Sequence, residues 1–133
     1  MTLVVDASIA VKWLLIEEGS SMALALLGKD TLVAPDLVVP ETGNVLWRHA
    51  VKGLISSQQA VSGMEGLLSF FDEIFASEPI SRHAVEIAIA VNHPVYDCFY
   101  IALAEALDTT LVTADRRLAG KLDGSLRKRV ELL

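Results

Sequence analysis

The chain has 133 residues, 53% of them apolar and 21% charged, a balance that fits one domain with its own core and argues against disorder. Seventeen acids against eleven bases leave a net charge of −6, which at first sight speaks against nucleic acid. No apolar run reaches the roughly 18 uncharged residues of a membrane span, and the one cysteine, Cys98, excludes an internal disulfide and a cysteine-rich zinc site.

Thr2–Val5 reads as a strand, apolar after Thr2, as in a sheet covered on both faces. Its start, MTLVVDAS, lacks the basic region and cleavage site of a signal peptide, so a cytoplasmic location is expected. Ser8 is placed to cap a helix from Ile9 to about Ile16, which Gly19 ends. A short helix over Ser21 to Leu27 leads into a strand at Thr31–Ala34. Pro35-Asp36 opens a longer helix, Leu37 to Val51, closed by Gly53, with Pro40 tolerated because it lies in or near the first turn. Ser56-Ser57-Gln58-Gln59 has the form of a capping box and predicts a helix from Ser57 to about Asp72. Ile74–Ser77 is a short strand, stopped by Glu78-Pro79. Ser81 caps a helix to Val91, and Pro94 opens another to Leu107. Thr109–Thr113 is a strand followed by a helix from Asp115 to Leu122, and Arg129–Leu132 adds an edge strand.

Strands separated by helices need crossover connections, so the expected class is α/β, a mostly parallel sheet with helices on both faces. No repeat, low-complexity run or linker marks a domain boundary, and residues 1–133 are expected to form a single unit. Ligands of such sheets bind beyond the carboxyl ends of the strands. Two apolar runs deliver an acid to that edge: LVVDAS ends at Asp6 and TLVTAD at Asp115. Glu41, in APDLVVPETGNVLW, falls in an early turn of its helix among apolar, small and amide neighbours. Asp97, in HPVYDCFYIALAEAL, shares a helix face with Ile101 and Ala104, so its carboxylate looks inward.

Each acid has a plain structural explanation. Asp97 suits the amino end of a helix, and Asp115 can cap one. Glu41 has Arg48 and Lys52 within reach, and Asp6 has Lys12. Taken together the four are harder to dismiss, because like charges gathered without a cation raise one another's pKa values. A divalent ion removes the difficulty, and oxygen-only ligands point to Mg²⁺ or Mn²⁺ rather than zinc. Cys98, among acid and aromatic neighbours, reads as an inert buried thiol. His49, His83 and His93 lie on separate elements without ligand spacing and are expected to be exposed or structural. Six of the eleven bases fall between Arg116 and Arg129, either a solvated helix face or an edge that contacts phosphates.

These motifs resemble, in order and spacing, those of the PIN-domain nucleases, and specifically the VapC toxins of toxin–antitoxin pairs. VVDAS is similar to the family's first acidic motif, with Asp6 and Ser8; PETGNVLW to the second, with Glu41 and Asn44. YDCFYIALAEAL is similar to the third, with Asp97, and LVTAD to the fourth, with Thr113 and Asp115. The resemblance implies a five-stranded parallel sheet with the acids clustered at one end, a Mg²⁺- or Mn²⁺-dependent endoribonuclease, a cognate antitoxin protein and a homodimer. On this reading Asp6, Asp97 and Asp115 are metal ligands. Glu41 serves a second metal position or orients the attacking water, while Ser8, Thr113 and Asn44 support them. Arg116 and Arg117, directly after Asp115, are the candidates for holding RNA phosphates. The alternatives are a PIN fold reduced to protein interaction, and a metal-dependent phosphatase. The phosphatase wants a second acid two residues after Asp6, where this chain has Ser8. Large apolar side chains around Leu46-Trp47 and Met64–Phe71 exceed what one small core needs and predict a groove for an amphipathic partner segment.

Overall fold

The computed structural model describes residues 1–133. Four crossovers build one five-stranded, all-parallel sheet in the order β3-β2-β1-β4-β5. Strand β1 (Thr2–Val5) leads through α1 (Ala7–Leu14) and α2 (Ser20–Leu24) to β2 (Thr31–Pro35). Helices α3 (Val38–Val51) and α4 (Ser57–Gly66), with a 3₁₀ turn at Leu67–Phe70, lead to β3 (Glu73–Phe75). A second 3₁₀ turn (Glu78–Ile80), then α5 (Ser81–Val91) and α6 (Val95–Ala106), return the chain to β4 (Thr110–Thr113). Finally α7 (Arg116–Lys121) and α8 (Gly124–Lys128) connect to the edge strand β5 (Val130–Leu132).

Consecutive residues of the inner strands are buried: Leu3, Val4 and Val5, then Leu32, Val33 and Ala34, then Leu111 and Val112. Both faces of the sheet are therefore covered, as unbroken apolar runs require. Helix α6 crosses β1, β2 and β4 and buries Tyr100 through Ala104, with α5 packed behind it. No single helix is long and apolar enough to cross a membrane.

Strand order carries the functional consequence. From β1 the chain winds one way to β2 and β3, and β4 and β5 then continue on the other side of β1. The crevice outside the carboxyl ends of β1 and β4 is thus the topological switch point, where sheets of this kind bind ligands.

Several predicted boundaries shift, each for a physical reason. Helix α1 begins at Ala7, capped by Asp6 rather than Ser8, because the Asp6 carboxylate accepts the N–H groups of Ser8 and Ile9. The capping box at Ser56 and Gln59 forms as predicted. Its helix stops at Gly66 instead of reaching Asp72, whose backbone and carboxylate both bond Leu32 of β2. That pairing pulls the chain out of the helix and starts β3 at Glu73. Asp115 stands outside α7 as its cap. The basic run from Arg116 to Arg129 is divided between α7 and the unanticipated α8.

Candidate active site

Asp6 follows β1 in an extended conformation, and nearly all of its carboxylate is buried. Its Oδ1 accepts the Ser8 hydroxyl at 2.5 Å and the N–H groups of Ser8 and Ile9 at 3.1 and 3.3 Å. Its Oδ2 accepts the Thr113 hydroxyl at 2.5 Å. The same hydroxyls tie β1 to β4: Ser8 Oγ accepts the Ala114 N–H at 2.9 Å, and Thr113 Oγ1 accepts the Asp115 N–H at 3.0 Å. Ser8 and Thr113 therefore brace Asp6 and hold the two strand ends in register.

The remaining acids are each held by one oxygen. Glu41, in the first turn of α3, takes the Tyr100 hydroxyl on Oε1 at 2.6 Å. Asp97, in the first turn of α6, takes His93 Nε2 on Oδ2 at 2.6 Å. Asp115 takes the N–H groups of Arg117 and Leu118 on Oδ1 at 2.9 and 3.2 Å. Glu41 Oε2, Asp97 Oδ1 and Asp115 Oδ2 accept nothing from the protein.

All four acids line one cavity of about 460 Å³, together with Ser8, Asn44, Arg48, Tyr96 and Tyr100. No lysine or arginine pairs with any of them. Lys12 bonds Glu17 and the Glu18 carbonyl instead of Asp6, and neither Arg48 nor Lys52 reaches Glu41. Burial pushes Asp6 up to about 6, against the hydrogen bonds from Ser8 and Thr113, and the Asp97 charge adds to the rise. Burial also pushes Glu41 up to about 7, with Asp97 and Asp6 adding to it. The Tyr100 hydroxyl, buried against Glu41, is driven far above its ordinary value. Cys98 is buried and its thiol is pushed up to about 11, the inert behaviour expected of it.

The donor set suits a hard divalent cation: four carboxylates, three of whose oxygens are unclaimed, with no lysine or arginine paired to any of them. No three His, Cys, Asp or Glu side chains stand close enough together to hold one ion directly. Mg²⁺ matches that arrangement, since it keeps several waters and takes only one or two carboxylates.

Sequence reasoning missed several groups here. His93 was expected to be exposed or structural, and no contact with an acid was assigned to it, yet it bonds Asp97. Tyr100, Tyr96 and Arg48 also face the cavity. The signal for two of them was spacing, because His93 stands four residues before Asp97 and Tyr100 three after it. Asn44, one turn beyond Glu41, lines the cavity without a hydrogen bond to an acid. Arg116 and Arg117 are exposed at the start of α7, beside Asp115 but outside the cavity lining.

The all-parallel five-stranded α/β architecture is that of the PIN fold. The PIN domain matches residues 3–121, and the chain belongs to that family. Within it, the chain is 36% identical over 124 residues to Ribonuclease VapC3 of Pyrobaculum aerophilum, covering 91% of this chain and 95% of that protein. Among solved structures, a crystal structure from Pyrobaculum aerophilum superposes with a TM-score of 0.72 at 27% identity, over 93% of this chain and 81% of that one. VapBC2 from Rickettsia felis, bound to a DNA fragment from their promoter, gives 0.69 at 16% identity, over 100% and 99%.

Proposed function

We propose that this chain is a VapC-type ribonuclease toxin that hydrolyses RNA phosphodiester bonds with Mg²⁺ or Mn²⁺ held by Asp6, Glu41, Asp97 and Asp115. The observation that carries the reading is the shared cavity of four acids with no lysine or arginine partner. The similarity to Ribonuclease VapC3 supplies the substrate class. A bound divalent ion supplies an activated water and a counter-charge for the leaving oxygen.

The chain's own groups prepare the site for it. Ser8 and Thr113 hold Asp6 at the cavity floor, so its charge faces inward. Asp97 and Asp115 offer their unclaimed oxygens as ligands, directly or through water. Glu41, fixed through one oxygen by Tyr100, keeps the other for a second ion or for orienting the attacking water. Asn44 extends the polar wall from Glu41, and Arg116 and Arg117 hold substrate phosphates beside Asp115.

A cognate antitoxin is the expected protein partner, in keeping with the likeness to VapBC2. The apolar residues Trp47, Val51, Leu54, Val61 and Leu68, exposed on α3, on α4 and just beyond each helix, support a surface for its amphipathic segment. Val85 and Ile89, exposed on α5, support a homodimer. Purified protein incubated with a mixed RNA pool should cleave with Mg²⁺ or Mn²⁺ and stop with EDTA. Intact RNA under every metal condition, or cleavage indifferent to EDTA, overturns the assignment.

A further inference from the structure

We propose that His93 is a positioning residue that fixes the Asp97 carboxylate for its divalent ion. The inference rests on the metal-site reading above. His93 sits in the three-residue link between α5 and α6. Asn92 before it adopts the left-handed conformation, φ 52°, and Pro94 after it caps α6. Its own N–H bonds the Ala88 carbonyl at 3.2 Å. The backbone is thus pinned on both sides, and the side chain is only 8% exposed. A carboxylate has acceptors only, so Nε2 donates to Asp97 Oδ2 whichever charge the ring carries.

Two features separate this contact from an incidental ion pair. The other ring nitrogen, Nδ1, is buried without any partner, so the ring's placement follows the Nε2 bond and leaves its second polar atom unsatisfied. The bond also makes the two Asp97 oxygens inequivalent: Oδ2 is held at the α5–α6 junction, and Oδ1 is left for the cavity. Glu41 is treated the same way by Tyr100. Outer partners of ligating groups set ligand orientation, and losing one costs about 10–100-fold in metal affinity.

The test is Mn²⁺ titration calorimetry on purified wild type, His93→Phe, His93→Asn and His93→Gln, with melts in EDTA to confirm folding. Phenylalanine keeps a ring without a donor, asparagine keeps an amide too short to reach Oδ2, and glutamine places an amide nitrogen near Nε2. His93→Phe and His93→Asn are expected to bind Mn²⁺ about 10–100-fold more weakly. His93→Gln should stay within a few-fold of wild type. The Mn²⁺ concentration for half-maximal RNA cleavage should rise in parallel, with excess Mn²⁺ restoring the rate. Should His93→Phe fail to fold, the asparagine and glutamine pair carries the comparison. Undiminished Mn²⁺ affinity in the folded donor-less variants, or equal losses in all three, overturns the positioning role. A wild type that binds no Mn²⁺ removes the metal site itself, and this inference with it.

Discussion

Acids lie beyond both edges of the sheet, and the two sets are treated oppositely. At the amino edge, Asp108 has its side chain 94% exposed and pairs with Arg129 at 3.3 Å, while Asp30 lies 3.9 Å from the amino terminus. Arg129 also bonds the Thr109 carbonyl at 2.9 Å, so its charge is committed to that edge. At the carboxyl edge, Asp6 is buried and its three neighbours have no lysine or arginine partner. Exposed pairs of the first kind contribute roughly 0–1 kcal/mol each and need only water to form. The second arrangement opposes folding through desolvation and repulsion, which marks it as the candidate functional edge.

The largest effect that separates the edges is on catalysis. Asp6→Asn and Asp97→Asn keep shape and lose charge, and each should lower RNA cleavage by more than about 100-fold, beyond the loss typical of groups that only support a ligand. Asp108→Asn, at the other edge, should leave the rate within a few-fold. Near-wild-type cleavage by either carboxyl-edge variant would break the contrast.

A smaller effect is thermodynamic. In the folded, metal-free protein Asp6 is raised from 3.8 to about 6 and Glu41 from 4.5 to about 7. Between those values the folded state binds more protons than the unfolded state, so stability falls as pH rises through the window. The melting temperature in EDTA should therefore be higher at about pH 5 than at about pH 8. Asp6→Asn should flatten that slope and raise the value at the higher pH. In Asp6→Asn the amide oxygen still accepts from Ser8 and Ile9 and the amide nitrogen can donate to the Thr113 hydroxyl, whereas Asp97→Asn also disturbs the charge-dependent bond from His93. If the proposed site binds it, Mn²⁺ at about 100 times its dissociation constant should add about 2.7 kcal/mol to the wild type, several degrees for a domain of this size. Melts of both proteins with EDTA and with Mn²⁺ check this; an Asp6→Asn variant less stable than wild type in EDTA, with an undiminished metal shift, would contradict it.

Much of this layout was legible beforehand. Apolar runs bounded by Pro, Gly or a carboxylate located β1, α3, α6 and β4 to within a residue at most ends, and Asp6 and Asp115 stood out as acids closing buried strands. The misplaced cap of α1 came from two good caps lying two residues apart. Asp6 takes the helix N–H groups, while Ser8 is drawn across to Ala114 just beyond β4, a contact no local rule contains. Helix α8 has five residues, too few for a periodic signal. His93 was hidden because it precedes Pro94 and looks like part of a loop. Its contact with Asp97 depends on the α5–α6 junction. Arg48 was legible only as a possible partner of Glu41 and Tyr96 only as a helix residue, since which face meets the cavity is a tertiary fact.

The smallest effect concerns how substrate phosphates are held, and it sharpens the contrast at the level of cations. Three placements can be compared. Arg48, two turns beyond Glu41 on α3, lines the acid cavity and is exposed with no acid partner. Arg116 and Arg117 are exposed beside Asp115, outside that lining. Arg129 is bound to Asp108 and backbone carbonyls at the opposite edge. Phosphate contacts release counterions, so each one lost flattens the salt dependence of single-stranded RNA binding by about 0.7 in the log–log slope. Binding is measured in Ca²⁺, or on an Asp6→Asn background, so that cleavage does not intervene. Arg48→Ala should then flatten the slope by about one contact and weaken binding across RNA sequences alike. The Arg116→Ala, Arg117→Ala double variant should flatten it by at most about two, because both side chains flank an acid at the rim. Arg129→Ala should leave the slope unchanged, since its charge is already satisfied at the amino edge. An unchanged slope in the double variant would return α7 to an ordinary solvated face and leave Arg48 as the cation that meets the substrate. An unchanged slope in Arg48→Ala, with a loss at Arg129, would mean that RNA approaches from the wrong end of the sheet for the acids to act on it.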